Sequence, residues 1–184
     1  MKMKNKFESF TPLMHKFEYE FIEKYLNSDD ILLEWGSGNS TIYFSGLVKK
    51  VMTLEHDIDY YNQTENTINA FDIKNIENLY IKTKNGPPTK EYRYECLEEY
   101  INYPKNNNLE FTKVLVDGRG RKFCALSILD MIDESCIIFI HDFNHNDVEG
   151  YEDDEYFEDI LNNYDIIERI TDGQGIVALK KKII

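Results

Sequence analysis

The stretch Leu33-Glu34-Trp35-Gly36-Ser37-Gly38-Asn39-Ser40-Thr41 decides the fold. It follows the apolar run Ile31-Leu32-Leu33, which reads as a buried strand, and opens a segment from Thr41 to Leu47 that reads as a helix capped by Asn39 or Ser40. Two glycines at this spacing make a tight strand-to-helix turn and let a ligand approach the backbone closely. The dinucleotide fingerprint places a third glycine three residues after the second, and that position is Thr41. Glu34 puts a carboxylate two residues before Gly36. Aimed at the turn, it repels a pyrophosphate and suits a cationic amino group, so its sign favours a sulfonium amino-acid nucleoside over a dinucleotide.

Outward from the turn, short apolar runs alternate with helical spacing. Val51-Met52-Thr53-Leu54 closes on Glu55-His56-Asp57, Leu79-Tyr80-Ile81 is a weaker run, Val114-Leu115-Val116 ends at Asp117-Gly118, and Cys136-Ile137-Ile138-Phe139-Ile140 ends at His141-Asp142. Phe17, Phe21, Ile22 and Tyr25 form the apolar stripe of a helix before the first strand, and Tyr60–Phe71, Tyr92–Tyr103 and Phe123–Ile132 read as further helices. Continuous apolar strands separated by helices argue for a parallel sheet covered on both faces. After a helix at Tyr156–Leu161 the alternation breaks. Ile166–Ile170 and Ile176–Leu179 are joined by Thr171-Asp172-Gly173-Gln174-Gly175, short enough for an antiparallel hairpin.

Composition narrows the partners. The 184 residues suit one domain, and 21 basic against 34 acidic residues give a net charge of −13 and a pI near 4.7. A surface that grips nucleic acid needs clustered Lys and Arg, so nucleic acid is disfavoured; the lone Gly86-Pro87-Pro88 lacks the partners of a nucleic-acid methylation motif. No run approaches the roughly 18 apolar residues of a membrane span, and no apolar region follows Lys2, Lys4 and Lys6 to make a secretory signal. Cys96, Cys124 and Cys136 are odd in number and form no C-x-x-C pair, which suits a reducing, cytoplasmic setting. Composition carries no signal about oligomeric state.

On these residues the chain resembles the class I S-adenosylmethionine-dependent methyltransferases. Glu34-Trp35-Gly36-Ser37-Gly38 matches that family's acidic glycine motif, Glu55 its second acidic motif, and Asp117 the acidic end of its fourth strand. The resemblance covers about residues 17–181, with 1–16 as an N-terminal extension of one domain. It implies a Rossmann-like α/β fold with a seven-stranded, mostly parallel sheet of order 3-2-1-4-5-7-6, strand 7 antiparallel, and helices on both faces. It further implies S-adenosylmethionine as cofactor, released as S-adenosylhomocysteine, over the ends of strands 1 and 2. Its binding set is then Glu34, Gly36, Ser37, Gly38, Ser40, Thr41, Glu55 and His56, with the ribose hydroxyls on Glu55. The adenine-contacting residue after strand 3 is not evident, Asn85 being the weak candidate.

Two polar clusters at the ends of strands 4 and 5 are the candidates for chemistry: Asp117-Gly118-Arg119-Gly120-Arg121 and His141-Asp142-Phe143-Asn144-His145. Methyl transfer needs a positioned nucleophile and, for a hydroxyl, a base. Asp117 and His141 are the candidate bases, with Asp142 beside them, and Arg119 and Arg121 suit an anionic or polyhydroxylated acceptor. The expected activity is O-methylation of a small or carbohydrate hydroxyl. The alternatives are an idle methyltransferase-like binding protein and a nicotinamide-dependent oxidoreductase on the same sheet. A divalent metal on Asp117, His141 and Asp142 is a further option, not favoured because the metal-dependent branch carries Asp-Asn after strand 5. The acidic stretch Asp147–Asp159 reads as a solvated face, with a substrate lid as the alternative.

Overall fold

The computed structural model describes residues 5–84, 93–143 and 155–183. In chain order the elements are α1 (Lys16–Glu23), β1 (Ile31–Trp35), α2 (Asn39–Ser45), β2 (Lys50–Glu55), α3 (Ile58–Ala70), β3 (Ile76–Tyr80), α4 (Arg93–Asn106), β4 (Lys113–Val116), α5 (Arg121–Ser127), β5 (Ile137–His141), α6 (Glu155–Asn163), β6 (Tyr164–Ile170) and β7 (Ile176–Lys181). They build a seven-stranded sheet of order β3-β2-β1-β4-β5-β7-β6. Strands β1 to β5 pair in parallel, and β7 runs antiparallel to both β5 and β6. The Rossmann-like, mostly parallel sheet with a terminal hairpin is therefore the observed architecture.

Side-chain alternation sorts the core into two layers. Leu33 and Trp35, Val114 and Val116, Ile138 and Ile140, and Val177 and Leu179 face one side, where α4 and α5 supply Leu97, Tyr100, Ile101, Cys124 and Ala125. Leu32, Val51, Leu115, Phe139, Ile176 and Ala178 face the other, against Phe21 and Ile22 of α1 and Tyr43 and Phe44 of α2. All three cysteines are buried and free.

The elements depart from expectation at a few places. Strand β3 starts at Ile76, earlier than the apolar run, because Glu77 is exposed and Asn78 bonds the Tyr61 carbonyl, so its polar residues hide an edge strand. Helix α2 begins at Asn39 with Gly38 as its cap rather than Asn39 or Ser40. Helix α5 ends at Ser127, short of Ile132. In α1 Phe17 is 40% exposed and Glu18 is fully buried instead, so the helix turns a carboxylate inward. The expectations for Asn85, Gly86-Pro87-Pro88, Tyr92, Asn144, His145 and most of Asp147–Asp159 lie outside the described residues. Among the described residues no helix is long and apolar enough to cross a membrane.

Candidate active site

The same alternation aims the polar strand ends. Glu34, Glu55, Asp117 and His141 follow Leu32, Val51, Leu115 and Phe139 by even steps, so all four take the side of the sheet covered by α1 and α2. They sit at or just past the carboxyl ends of β1, β2, β4 and β5, where open α/β sheets bind ligands. A cavity of about 350 Å³ lies there, within the size range of small-molecule sites. The turn contributes Gly36, Ser37, Gly38, Asn39 and Ser40; the end of β2 and start of α3 contribute Glu55, His56, Asp57 and Tyr60. The ends of β4 and β5 contribute Asp117, Gly118, Arg119, Arg121, His141 and Asp142, and Leu13 and Gln174 complete the lining.

The two glycines of the turn do different work. Gly36 has φ +98°, and a Cβ on it would stand 2.9 Å from the Gly118 nitrogen, so the tips of β1 and β4 meet only because both residues lack side chains. Gly38 is extended, and a Cβ on it would meet nothing within 4 Å. It borders the cavity as open backbone.

Glu34 does not face the cavity, and this corrects the expectation for it. Leu33 and Trp35 occupy the α4 side, so Glu34 points under the turn, where it is fully buried. The Ser40 and Thr41 hydroxyls each donate to it at 2.6 Å. Thr41 also accepts the Gly38 N–H at 3.0 Å, which ties the turn to the helix. Burial pushes the Glu34 pKa up to about 8, against the two hydroxyl bonds that lower it. Of this pair only Ser40 lines the cavity; Thr41 and Glu34 support it from behind.

Glu55 is almost fully buried at the cavity wall. Its Oε2 accepts the Ser37 N–H at 2.7 Å, and its Oε1 accepts the N–H groups of His56 and Asp57 at 2.7 and 2.8 Å. Three of a carboxylate's roughly four acceptor positions are thereby taken, which leaves about one. Burial lowers the His56 pKa, opposed by Glu55 and Asp57, and its ring stands 5.2 Å from that of Tyr100. The hydroxyls of Ser37 and Tyr100 and the Nε of Arg121 are buried with no hydrogen-bond partner. Ser37 and Arg121 line the cavity, and native interiors keep few such orphans except where a ligand or water completes them.

At the other end the two clusters meet. Asp117 Oδ1 is 2.7 Å from His141 Nδ1, and Asp142 Oδ1 is 3.9 Å from the same nitrogen. Asp142 has a left-handed backbone (φ +56°), binds Arg121 through its other oxygen and accepts the Gln174 amide at 3.1 Å. Arg121 is thus committed to Asp142, whereas Arg119 is exposed at the cavity with no ion pair among the described residues. The His141 ring is almost wholly buried, while Asp117 keeps 21% of its side chain exposed.

Asp117, His141 and Asp142 offer three metal-ligating atoms within 4.8 Å of one another. As arranged, these donors are engaged with other partners. The Nδ1 that would have to ligate is already at hydrogen-bond distance from Asp117, and the Asp142 carboxylate is neutralised by a guanidinium.

Residues outside the expected set complete the site. Leu13, Asn39, Asp57, Tyr60 and Gln174 also line the cavity. Glu18 is different: it touches His141, and its signal was a carboxylate three and four positions before Phe21 and Ile22 on the buried stripe of α1.

No family model matches the chain, and no curated protein matches it in sequence. Solved structures do. A methyltransferase-like protein from Silicibacter pomeroyi superposes with a TM-score of 0.67 at 19% identity, over 95% of this chain and 90% of that one. An rRNA methylase from Streptococcus thermophilus gives 0.60 at 15% identity, over 94% and 100%. A Streptococcus mutans protein solved in complex with SAH gives 0.60 at 13% identity, over 92% and 100%. Strand order, the antiparallel seventh strand and these likenesses agree: the chain has the Rossmann-like fold of the class I S-adenosylmethionine-dependent methyltransferases.

Proposed function

We propose that the protein is an S-adenosylmethionine-dependent methyltransferase that methylates a hydroxyl of a small or carbohydrate acceptor. The observation that carries this reading is the cavity over the ends of β1 and β2. It combines the open Gly38 backbone, the unpartnered Ser37 hydroxyl and a buried Glu55 carboxylate with acceptor capacity to spare. Glu55 accepts from a ribose hydroxyl through its remaining acceptor position, and the Gly36–Gly38 backbone takes the amino-acid end. When bound, S-adenosylmethionine supplies an activated methyl group on a positively charged sulfur. The chain then has to orient an acceptor oxygen in line with that methyl group and receive its proton. Asp117, exposed to the cavity, receives the proton, and Arg119 holds a polar or anionic group of the acceptor.

A carbohydrate or small hydroxyl acceptor is favoured over nucleic acid by the net charge of −13. Calorimetry with S-adenosylhomocysteine against NAD tests the cofactor, and a screen of hydroxyl acceptors for S-adenosylhomocysteine release tests the reaction. The expected result is binding of S-adenosylhomocysteine alone, weakened by about 1–3 kcal/mol in Glu55→Ala. Binding of NAD alone would assign an oxidoreductase instead, and binding of neither would leave a protein that uses the fold without the cofactor.

A further inference from the structure

Helix α1 lies outside the strand-end turns that make the cavity, yet it sends a side chain to the chemical centre. Glu18 is fully buried. Its Oε1 accepts the Gly175 N–H at 2.9 Å, and its Oε2 accepts the His15 N–H at 2.7 Å while standing 3.3 Å from His141 Nε2. On the opposite edge of the ring, Nδ1 is 2.7 Å from Asp117 Oδ1. Both ring nitrogens therefore face carboxylate oxygens. A neutral imidazole has one N–H and one lone pair, and a lone pair set against a carboxylate oxygen is repulsive unless a proton lies between them. The arrangement is satisfied when each nitrogen carries a proton and donates outward.

We propose that Glu18 is a positioning residue: it holds His141 as a doubly donating imidazolium, which in turn fixes Asp117 by one oxygen and leaves the other to meet the acceptor. The charged groups facing the ring agree. They are Glu18 from α1, Asp117 after β4 and Asp142 after β5, with Arg121 of α5 set against Asp142. Burial opposes a charge on the ring, but the Asp117 hydrogen bond and the charges of Asp117, Asp142 and Glu18 outweigh it and raise the His141 pKa above the ordinary histidine value. His141 is then the support of the base and not the base, since both its nitrogens already face carboxylate oxygens, although the residue itself borders the cavity.

The inference rests on the methyltransferase reading for what Asp117 does. As the acceptor oxygen takes the methyl group, the sulfur keeps the electron pair of the broken C–S bond and the hydroxyl proton passes to the free oxygen of Asp117. The state of the ring does not depend on that reading, which makes the two separable.

The test is side-chain nitrogen NMR of His141 in the full chain, with kinetics and S-adenosylhomocysteine calorimetry on wild type, Glu18→Gln and Glu18→Asp. In wild type both ring nitrogens are expected to be protonated at pH 7. In Glu18→Gln the titration midpoint of His141 falls by about one unit, kcat falls about 10–100-fold, and affinity for S-adenosylhomocysteine is unchanged; Glu18→Asp, which keeps the charge, recovers part of both losses. A wild-type ring with an unprotonated nitrogen at pH 7 would overturn the assignment without recourse to any variant. So would a Glu18→Gln protein that binds S-adenosylhomocysteine, titrates and turns over like wild type, and in that case the methyltransferase reading stands. If wild type binds no S-adenosylhomocysteine while the His141 midpoint still falls in Glu18→Gln, the methyltransferase reading fails and the bracketed imidazolium stands.

Discussion

Glu34 shows how a single side chain can support the wall of a cavity without entering it. Its carboxyl is fully buried beneath the glycine turn and held by two hydroxyls, with a pKa near 8. A carboxyl whose folded pKa lies above its unfolded value binds more protons when folded. Its contribution to stability is therefore complete below about pH 4.5 and is lost as pH rises toward about 8. Each unit of such a shift corresponds to about 1.4 kcal/mol, so the loss amounts to several kcal/mol by pH 9. His141, raised in the same direction, adds a further loss above the ordinary histidine range. Glu34→Gln keeps the shape and removes the ionisation. Denaturation measured from pH 5 to 9 should show a much flatter stability curve in that variant, and an unchanged slope would remove Glu34 as its cause.

At the scale of elements, the β1–α2 turn separates two uses of glycine that the sequence presents as one motif. Gly36→Ala forces a side chain onto φ +98° and against the backbone of Gly118, and should cost about 1–3 kcal/mol of stability with a lowered melting temperature. Gly38→Ala adds a methyl group to open space and should leave stability within about 0.5 kcal/mol while weakening S-adenosylhomocysteine binding in calorimetry. Equal stability losses in the two variants would show that the turn is a packing device only. The strands that define this turn were legible because Leu32, Leu33 and the runs at Val114 and Ile137 are apolar on both faces, as a sheet covered on two sides requires. Strand β3 was legible only at its end, since an edge strand tolerates Glu77 and Asn78. The direction of Glu34 was misjudged although alternation contains it: Leu33 and Trp35 pack together on one face, so the residue between them must take the other. Glu18 was beyond a motif-based reading, because its partners lie 123 and 157 positions away in His141 and Gly175.

Across the whole molecule, the site is a meeting of distant parts: an N-terminal helix, four parallel strand ends and the loop of the final hairpin. A ligand that fills the cavity bridges the strand ends and the hairpin loop and binds the native state alone. At a hundredfold excess over its dissociation constant, S-adenosylhomocysteine should add about 2.7 kcal/mol to stability, a rise in melting temperature of roughly 5–10 °C for a chain of this size. A melting temperature that stays put under saturating ligand would mean that binding does not depend on the folded cavity. The order of the strands has a consequence for biosynthesis. Strand β7 lies between β5 and β6 but emerges from the ribosome after both, and the Gly175 amide that secures Glu18 emerges with it. A nascent chain halted before Ile176 would present the unpaired edge of β5, a template for wrong pairing and a natural target for chaperones, so β7 must be made before the contacts around His141 can close.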